Sequence, residues 1–353
     1  MKPIGVGFLG CGRISTLHIL GYRNQAMARV VAVCDQDADL ARRRAAEWEV
    51  QKVYTRPEQL FEDPEVDVVE ILLPHDLHYD MTIAAVEAGK HVSVQKPMAH
   101  TLDECNEMIR AAQRANVLLR VYEQFVFYPP YVAAKNVIDS GRIGEPTMMR
   151  LHYNGGELKG GWKVPLKSWL WRLRRSRCGG GPVVFDHGFH LWSLARWIMG
   201  RPTRVSAWIG RNTVVPTKYV DVPATAMVEF AGRNRHAVFD FAWTPKMQVN
   251  SKYYADDNRV EIICERGMLM INTCSTKTFD LPPVLLYCDG KTEEVRVQRT
   301  DWADSFVDCT RHFIYVLQQG GEPRLTGQDG RAVTELALAA ERSAREGCEV
   351  RIG

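Results

Sequence analysis

The sequence predicts an α/β doubly wound parallel sheet followed by an α+β domain on a large, mostly antiparallel open sheet. Three observations predict it. Over residues 1–124, short apolar runs alternate with helical stretches, a pattern that closes into a parallel sheet through right-handed crossovers. After Tyr128-Pro129-Pro130 the pattern turns to β-forming runs separated by turn residues. A length of 353 residues also exceeds what one core usually supports. The expected domains are therefore 1–124 and 125–353, with the C-terminal helix able to pack back on the first.

In the first domain, Ile4-Gly5-Val6-Gly7-Phe8-Leu9 reads as a buried strand, and Arg13-Ile14-Ser15 opens a helix. Val30–Cys34 is a second strand, ending at Asp35. Residues 37–48 are rich in helix formers. A third run, Val66–Leu73, ends at Pro74, and a helix over 78–88 closes at Gly89. His91–Val94 is a fourth strand, ending at Gln95-Lys96-Pro97. A helix over 102–115 leads to a fifth strand at Val117–Val121. In a parallel sheet, ligands sit outside the carboxyl ends of the strands. Asp35, Pro74, Lys96 and Tyr122-Glu123-Gln124 all fall there.

In the second domain a helix spans 131–140. Strands are expected at 147–153, 203–211, 224–229, 237–243, 259–264, 268–272 and 292–298, with helices at 188–199, 303–319 and 327–346. Composition narrows the function classes. Charged residues are 25% of the chain and the net charge is +3, which excludes a disordered chain and a basic nucleic-acid tail. The nine cysteines form no CxxC pair, so reduced thiols are expected rather than a disulfide framework or a zinc site. No apolar run reaches the ~18–20 residues that span a bilayer. The apolar strand that follows Met1-Lys2-Pro3 meets Gly10 too early for a signal peptide, so a cytoplasmic protein without membrane partners is expected.

Gly10-x-Gly12-x-x-Ser15 lies between a strand and a helix, and Asp35 ends the next strand. That context is what a dinucleotide-binding loop requires. The glycines let backbone approach a pyrophosphate, and N–H groups around Arg13 and Ile14 are the donors. Asp35 would accept from the adenosine ribose diol and repel a 2′-phosphate, and Gln36 rather than Arg follows it. NAD is therefore expected rather than NADP.

At this point the chain resembles the glucose-fructose oxidoreductase / inositol dehydrogenase / rhizopine-catabolism (Gfo/Idh/MocA) family of nicotinamide-dependent sugar oxidoreductases. The loop at 10–15 is one likeness. Leu73-Pro74-His75-Asp76-Leu77-His78 resembles the TPxxxH segment, and Gln95-Lys96-Pro97 the EKP motif. Asp186-x-Gly188-x-His190 resembles the DxGxH motif, and Ser140–Pro146 the GxIGxP lead-in to the sheet. The resemblance covers essentially the whole chain. Departures lie around the pocket: Gln95 replaces Glu, Val126 an Arg, Ser193 an Asp and Pro182 a Gly.

The resemblance implies NAD-dependent oxidation of a secondary ring hydroxyl of a sugar, cyclitol or glycoside. Lys96 would polarise the substrate oxygen, His190 would be the general base, and Asp186 would bind a neighbouring hydroxyl. It places Pro74, His75, His78, Gln95, Lys96 and Gln124 at the cofactor. His78 reads equally well as a cap of the following helix. Tyr128 and His187 join Lys96, Asp186 and His190 at the substrate. Asp186, His187 and His190 are metal-ligand types, but no metal is expected beside Lys96. Two other readings are a glycoside-cleaving or epimerising enzyme that retains NAD, and a non-catalytic nucleotide-binding regulator. A homodimer or homotetramer through the C-terminal sheet is implied.

The segment 156–178 is the least family-like stretch. It carries Lys159, Lys163, Lys167, Arg172, Arg174, Arg175 and Arg177 against Glu157. Trp162, Trp169 and Trp171 lie in it too, and Trp192 and Trp197 follow in the next helix, where packing is expected. Trp faces stack on sugar rings and Arg binds anions, so Trp162, Trp169 and Arg172 are substrate candidates. A basic subunit contact is the alternative reading.

Overall fold

The computed structural model describes residues 2–159, 161–162, 169–215, 218–232 and 234–353. Lys163 and Lys167 of the basic segment lie outside the described residues. The chain divides into two compact units. The first comprises Met1–Glu123, Ser176–Gly179 and Phe306–Thr334. The second comprises Gln124–Arg175, Gly180–Ser305 and Glu335–Gly353.

The first unit is built on β1 (Ile4–Leu9), β2 (Ala28–Cys34), β3 (Lys52–Tyr54), β4 (Val68–Ile71), β5 (His91–Gln95) and β6 (Leu119–Tyr122). All pair in parallel, in the order β3-β2-β1-β4-β5-β6. Periodicity shows five of these strands. It misses β3, because three half-buried residues are too few to carry a pattern. The order reverses between β1 and β4, the switch point outside which a ligand crevice forms in such sheets.

The crossovers carry α1 (Ser15–His18), α2 (Ala38–Trp48), α3 (Pro57–Phe61), α4 (His78–Glu87) and α5 (Leu102–Ala115). Asp37 caps α2 by accepting from the Asp39 and Leu40 N–H groups. Thr101 and Glu104 form a reciprocal capping box on α5. α1 is one turn only and runs on as a tighter turn, Ile19–Gly21, so the helix opened at Arg13 is shorter than its sequence suggests.

The second unit begins with α6 (Pro129–Asp139) and the long β7 (Pro146–Lys159). Next along the chain are α7 (Arg175–Cys178), whose Ser176–Cys178 are counted with the first unit, and α8 (Gly188–Met199). Strands β8 (Pro202–Ile209), β9 (Asn212–Val215), β10 (Lys218–Val220), β11 (Ala224–Phe230), β12 (His236–Asn250) and β13 (Asp256–Cys264) follow. Then come β14 (Gly267–Ile271), β15 (Val284–Cys288), β16 (Lys291–Glu294), α9 (Trp302–Gln319), α10 (Gly327–Glu346) and β17 (Val350–Arg351), of which α9 from Phe306 onward and α10 up to Thr334 fall in the first unit.

Nine of these strands form one sheet in the order β16-β15-β14-β13-β7-β12-β11-β8-β17, and β9 and β10 form a ribbon apart. The sheet is antiparallel except where β7 and β12 run parallel at its centre. Alternation along the strands separates its faces. Ala207, Val228, Phe239, Leu151, Ile262, Leu269 and Leu286 point to a buried face. Trp208, Met227 and Tyr287 point outward and are exposed. Arg150–Glu261 and His152–Asp240 ion pairs cross the same outward face. Helix α8, with ten of its twelve residues buried, covers the inner face, and its Trp192 packs on Phe239 with ring centres 4.0 Å apart.

Candidate active site

In the first unit the loop after β1 is set by Gly10. Its φ is +102°, and a Cβ there would lie 2.5 Å from the Leu72 carbonyl oxygen, so protein contacts alone demand glycine. Gly12 differs, since a Cβ on it would meet nothing within 4 Å among the described residues. A side chain at Gly12 would project into open space over the loop, so protein contacts do not by themselves demand glycine there. Ser15 takes the place of a third glycine. It is buried, and its hydroxyl donates to the Gly12 carbonyl at 2.6 Å, tightening the loop. Arg13 is exposed and Ile14 half-buried beside it.

Asp35 stands at the end of β2, half-buried. Its Oδ2 accepts the Cys11 N–H at 2.8 Å and its Oδ1 the Asp37 N–H at 2.9 Å. Each carboxylate oxygen has capacity for a further donor. The carboxylate is thus aimed at the glycine loop and suited to a ribose diol. The residues present fit a dinucleotide.

The carboxyl ends of β4 and β5 bring the next candidates together. Pro74 is half-buried; His75 and His78 are buried, with ring centres 5.5 Å apart. The His78 ring lies between the Pro97 and Leu73 carbonyl oxygens, at 2.8 and 3.0 Å. Burial holds its pKa below the usual value, and a neutral ring donates from one nitrogen only. The ring lies against the backbone of both the loop after β4 and the loop after β5, and donates to one of the two carbonyls. His75 Nδ1 meets the Cys178 carbonyl at 2.9 Å, and Arg177 Nε donates to Asp76 at 2.9 Å, so residues 177–178 are fastened over the same loop.

Lys96 is half-buried at the end of β5, and its backbone N–H donates to Gln95 Oε1 at 2.8 Å. With that oxygen accepting, Gln95 Nε2 is the donor to His18 Nε2 at 3.0 Å. The His18 proton then sits on Nδ1, facing Glu70 Oε2 at 3.4 Å. Glu70 also accepts from Tyr22 at 2.6 Å and pairs with Arg120 at 3.3 Å. The Gln95 side chain thus links the Lys96 backbone to His18, whose ring lies against a buried Glu70–Tyr22–Arg120 cluster. A glutamate at position 95 would add a second carboxylate to it.

In the second unit, Asp186 and His190 come from one continuous segment. Its first turn is wide. The Asp186 N–H reaches back to the Gly181 carbonyl at 3.1 Å, five residues earlier, before the regular helix α8 begins. His190 is buried, and its ring stacks on Phe125 at 4.3 Å with 9° between planes. Asp186 is buried and paired with Arg172 Nε at 2.7 Å. His187 lies between Asp256, 3.7 Å from Nδ1, and Asn258, 3.4 Å from Nε2, with Tyr153 packed against it.

The remaining candidates are placed differently. Tyr128 is buried, and its hydroxyl donates to the Thr300 carbonyl at 2.8 Å. Gln124 is buried, and its Oε1 has no hydrogen-bond partner among the described residues. Trp162 packs edge-on against Tyr253 and Tyr254, at 5.4 and 5.2 Å. Trp169 is half-buried, and the Arg172 guanidinium lies 4.3 Å over the Trp171 ring. Three arginines of the basic segment face carboxylates: Arg172 on Asp186, Arg175 on Glu341 and Arg177 on Asp76. Among the described residues no group of three or more His, Cys, Asp or Glu is arranged to hold a metal ion.

Sequence reading missed Phe125, Asp256 and Asn258 beside the histidines, and Asp221 and Glu341 beneath the segment that carries them. None sits in a motif. Only the fold brings them in, from strands and helices distant in sequence.

Two family patterns match the chain. One, described as an oxidoreductase family with an NAD-binding Rossmann fold, covers residues 4–123. The other, the GFO/IDH/MocA C-terminal domain, covers residues 131–270. The chain belongs to the Gfo/Idh/MocA oxidoreductase family. It is an oxidoreductase whose first unit is an NAD-binding Rossmann fold.

Among curated relatives, a D-apiose dehydrogenase from Paraburkholderia graminis is 26% identical, over 100% of this chain and 90% of that protein. A myo-inositol 2-dehydrogenase from Thermotoga maritima is 25% identical, over 98% of each. Among solved structures, a levoglucosan dehydrogenase in complex with NADH and levoglucosan superposes with a TM-score of 0.82 at 21% identity. That match covers 99% of this chain and 100% of that one. No helix among the described residues is long and apolar enough to cross a membrane.

Proposed function

We propose that this family member is an NAD-dependent dehydrogenase. It oxidises one secondary ring hydroxyl of a sugar, cyclitol or glycoside to a ketone, with Lys96 and His190 as the acid/base groups. The observation that carries the reading is the Asp186–His190 segment, whose carboxylate and imidazole are both held at defined positions by neighbours in the second unit. The named relatives act on polyhydroxylated compounds, which supports the substrate class.

When bound, NAD accepts the hydride from the carbinol carbon. The chain's own residues do the rest. His190 takes the hydroxyl proton, and the Phe125 stack keeps its ring from rotating. The Lys96 ammonium donates a hydrogen bond to the substrate oxygen and stabilises negative charge as the proton leaves. Asp186, oriented by Arg172, accepts from an adjacent substrate hydroxyl. Asp35 selects the unphosphorylated ribose.

A panel of sugars, cyclitols and glycosides, assayed with NAD and with NADP, tests this. NADH formation is expected with at least one member, and kcat should fall about 10²–10⁴-fold in Lys96→Ala and in His190→Ala. Wild-type turnover in Lys96→Ala would overturn the mechanism, and better activity with NADP would overturn the role of Asp35. Glycoside cleavage without NADH release would identify retained-cofactor chemistry. Cofactor binding without turnover on any member would identify a non-catalytic binder.

A further inference from the structure

The segment that presents Asp186 and His190 begins as a wide turn rather than as a regular helix. A wide turn leaves its first N–H groups short of intrahelical partners. Two carboxylates from distant parts of the second unit meet them. Asp221, just after β10, accepts the Val183 N–H on Oδ1 and the Val184 N–H on Oδ2, each at 2.8 Å. Glu341, on α10, accepts the Gly181 N–H on Oε1 at 2.6 Å and pairs with Arg175 through Oε2. On the other side of the turn, the Trp192 indole N–H donates to the Val184 carbonyl at 2.9 Å.

The backbone approaches these carboxylates so closely that side chains are excluded. A Cβ on Gly181 would lie 1.9 Å from Asp221 Oδ2, and one on Gly180 would lie 2.5 Å from Glu341 Oε1. Both carboxylates are buried, with 7% and 8% of the residue exposed. Burying a carboxylate is costly unless its hydrogen bonds compensate. Two buried acids meeting backbone N–H groups, with Arg175 beside one of them, are therefore an expensive way to start a helix, when an exposed Ser or Asp cap would serve.

We propose that Asp221 and Glu341 form a carboxylate clamp that fixes the register and tilt of the 181–186 turn, and so positions Asp186 and His190 for the reaction. Both are positioning residues, acting through the backbone and not on substrate. The inference rests on the assignment of Asp186 and His190 as the working groups. Other charged or titratable groups at the clamp are Arg175, beside Glu341, and Tyr153, which lies within electrostatic reach of Asp221.

Amide exchange read by NMR on the full chain with NAD, together with steady-state kinetics, tests the clamp. In Asp221→Asn one carboxylate oxygen becomes a donor facing an N–H. Exchange at Val183 and Val184 is expected to speed up about tenfold or more, and kcat to fall about tenfold, with the Kd for NAD unchanged. Glu341→Gln should show the same at Gly181 with a smaller fall in kcat. Gly181→Ala should reproduce the Asp221→Asn phenotype, because its methyl displaces the Asp221 carboxylate. A merely structural role lowers thermal stability without this split between kcat and cofactor binding.

Unchanged exchange over 181–186 in both Asp221→Asn and Glu341→Gln would overturn the clamp. So would wild-type kcat in a variant whose turn has loosened, provided Asp186→Asn and His190→Ala are inactive. If those two variants keep full activity while exchange still rises in Asp221→Asn, the clamp's hold on the turn stands and the assignment of the working groups fails.

Discussion

Asp221 and Asp35 show how surroundings set the same residue type apart at two positions. Asp35 is half-buried, accepts the Cys11 N–H of the glycine loop, and keeps acceptor capacity for further donors. Asp221 is enclosed, and burial pushes its carboxyl up to about 6 against an ordinary 3.8, although the Val184 and Val183 N–H groups pull the other way. The sign for stability follows from proton counting. Between about pH 4 and 6 the folded protein keeps a proton that the unfolded chain has released. The stability from this group is fully present below pH 3.8 and is lost as pH rises through about 6. On going from pH 7 to pH 5, wild type should therefore gain about 1 kcal/mol relative to Asp221→Asn in urea titrations. An equal pH dependence in the two proteins would contradict the shift.

At the scale of the element, the strands of the first unit bury charge as well as apolar side chains. Glu70 on β4 and Arg120 on β6 are 0% and 1% exposed. Arg120 also donates to Ser93 on β5 at 2.9 Å and to the Cys309 carbonyl at 2.7 Å. Such a pair is weak support for net stability, but breaking it is costly, because the remaining charge is buried alone. Arg120→Met should lose about 3–5 kcal/mol in chemical denaturation. Adding Glu70→Gln should recover much of that. An Arg120→Met protein as stable as wild type would show the network to be dispensable. Nothing in the local pattern marks this pair. Glu70 interrupts an apolar strand run, and Arg120 reads like an ordinary polar position on the last strand.

At the scale of the molecule, the Rossmann unit does not end where its sequence pattern ends. Residues 306–334 belong to it; the sequence reading places them in the second domain, with the C-terminal helix able to pack back on the first. Phe313 and Ile314 pack in the same core cluster as Phe8, Val33 and Val68. The Tyr122 hydroxyl donates to the Phe306 carbonyl at 2.9 Å. A fragment of residues 1–123 should therefore fail to fold alone, giving poorly dispersed amide NMR signals and no cooperative melt. The same fragment joined by a flexible linker to residues 306–334 should recover both. Cooperative folding of 1–123 by itself would remove the argument.

The sequence by itself determined the class of each part, because class follows from local periodicity. Apolar runs alternating with helices, and then alternation along β-forming runs, need no tertiary information to be read. The Gly10–Ser15 loop, Asp35, Lys96 and the Asp186–His190 spacing stand out as candidates for a related reason: each is a short motif confined to a few residues. Only the tertiary structure decided what meets those motifs. Asp221 and Glu341 reach the 181–184 backbone from 38 and 160 residues away. His18 comes to Gln95 across 77 residues. The arginines of the basic segment look in sequence like a surface for anions, and in the fold three of them face acids. Pairing at such separation is set by the packing of whole elements, and no local pattern encodes which distant acid a given backbone N–H or arginine will find.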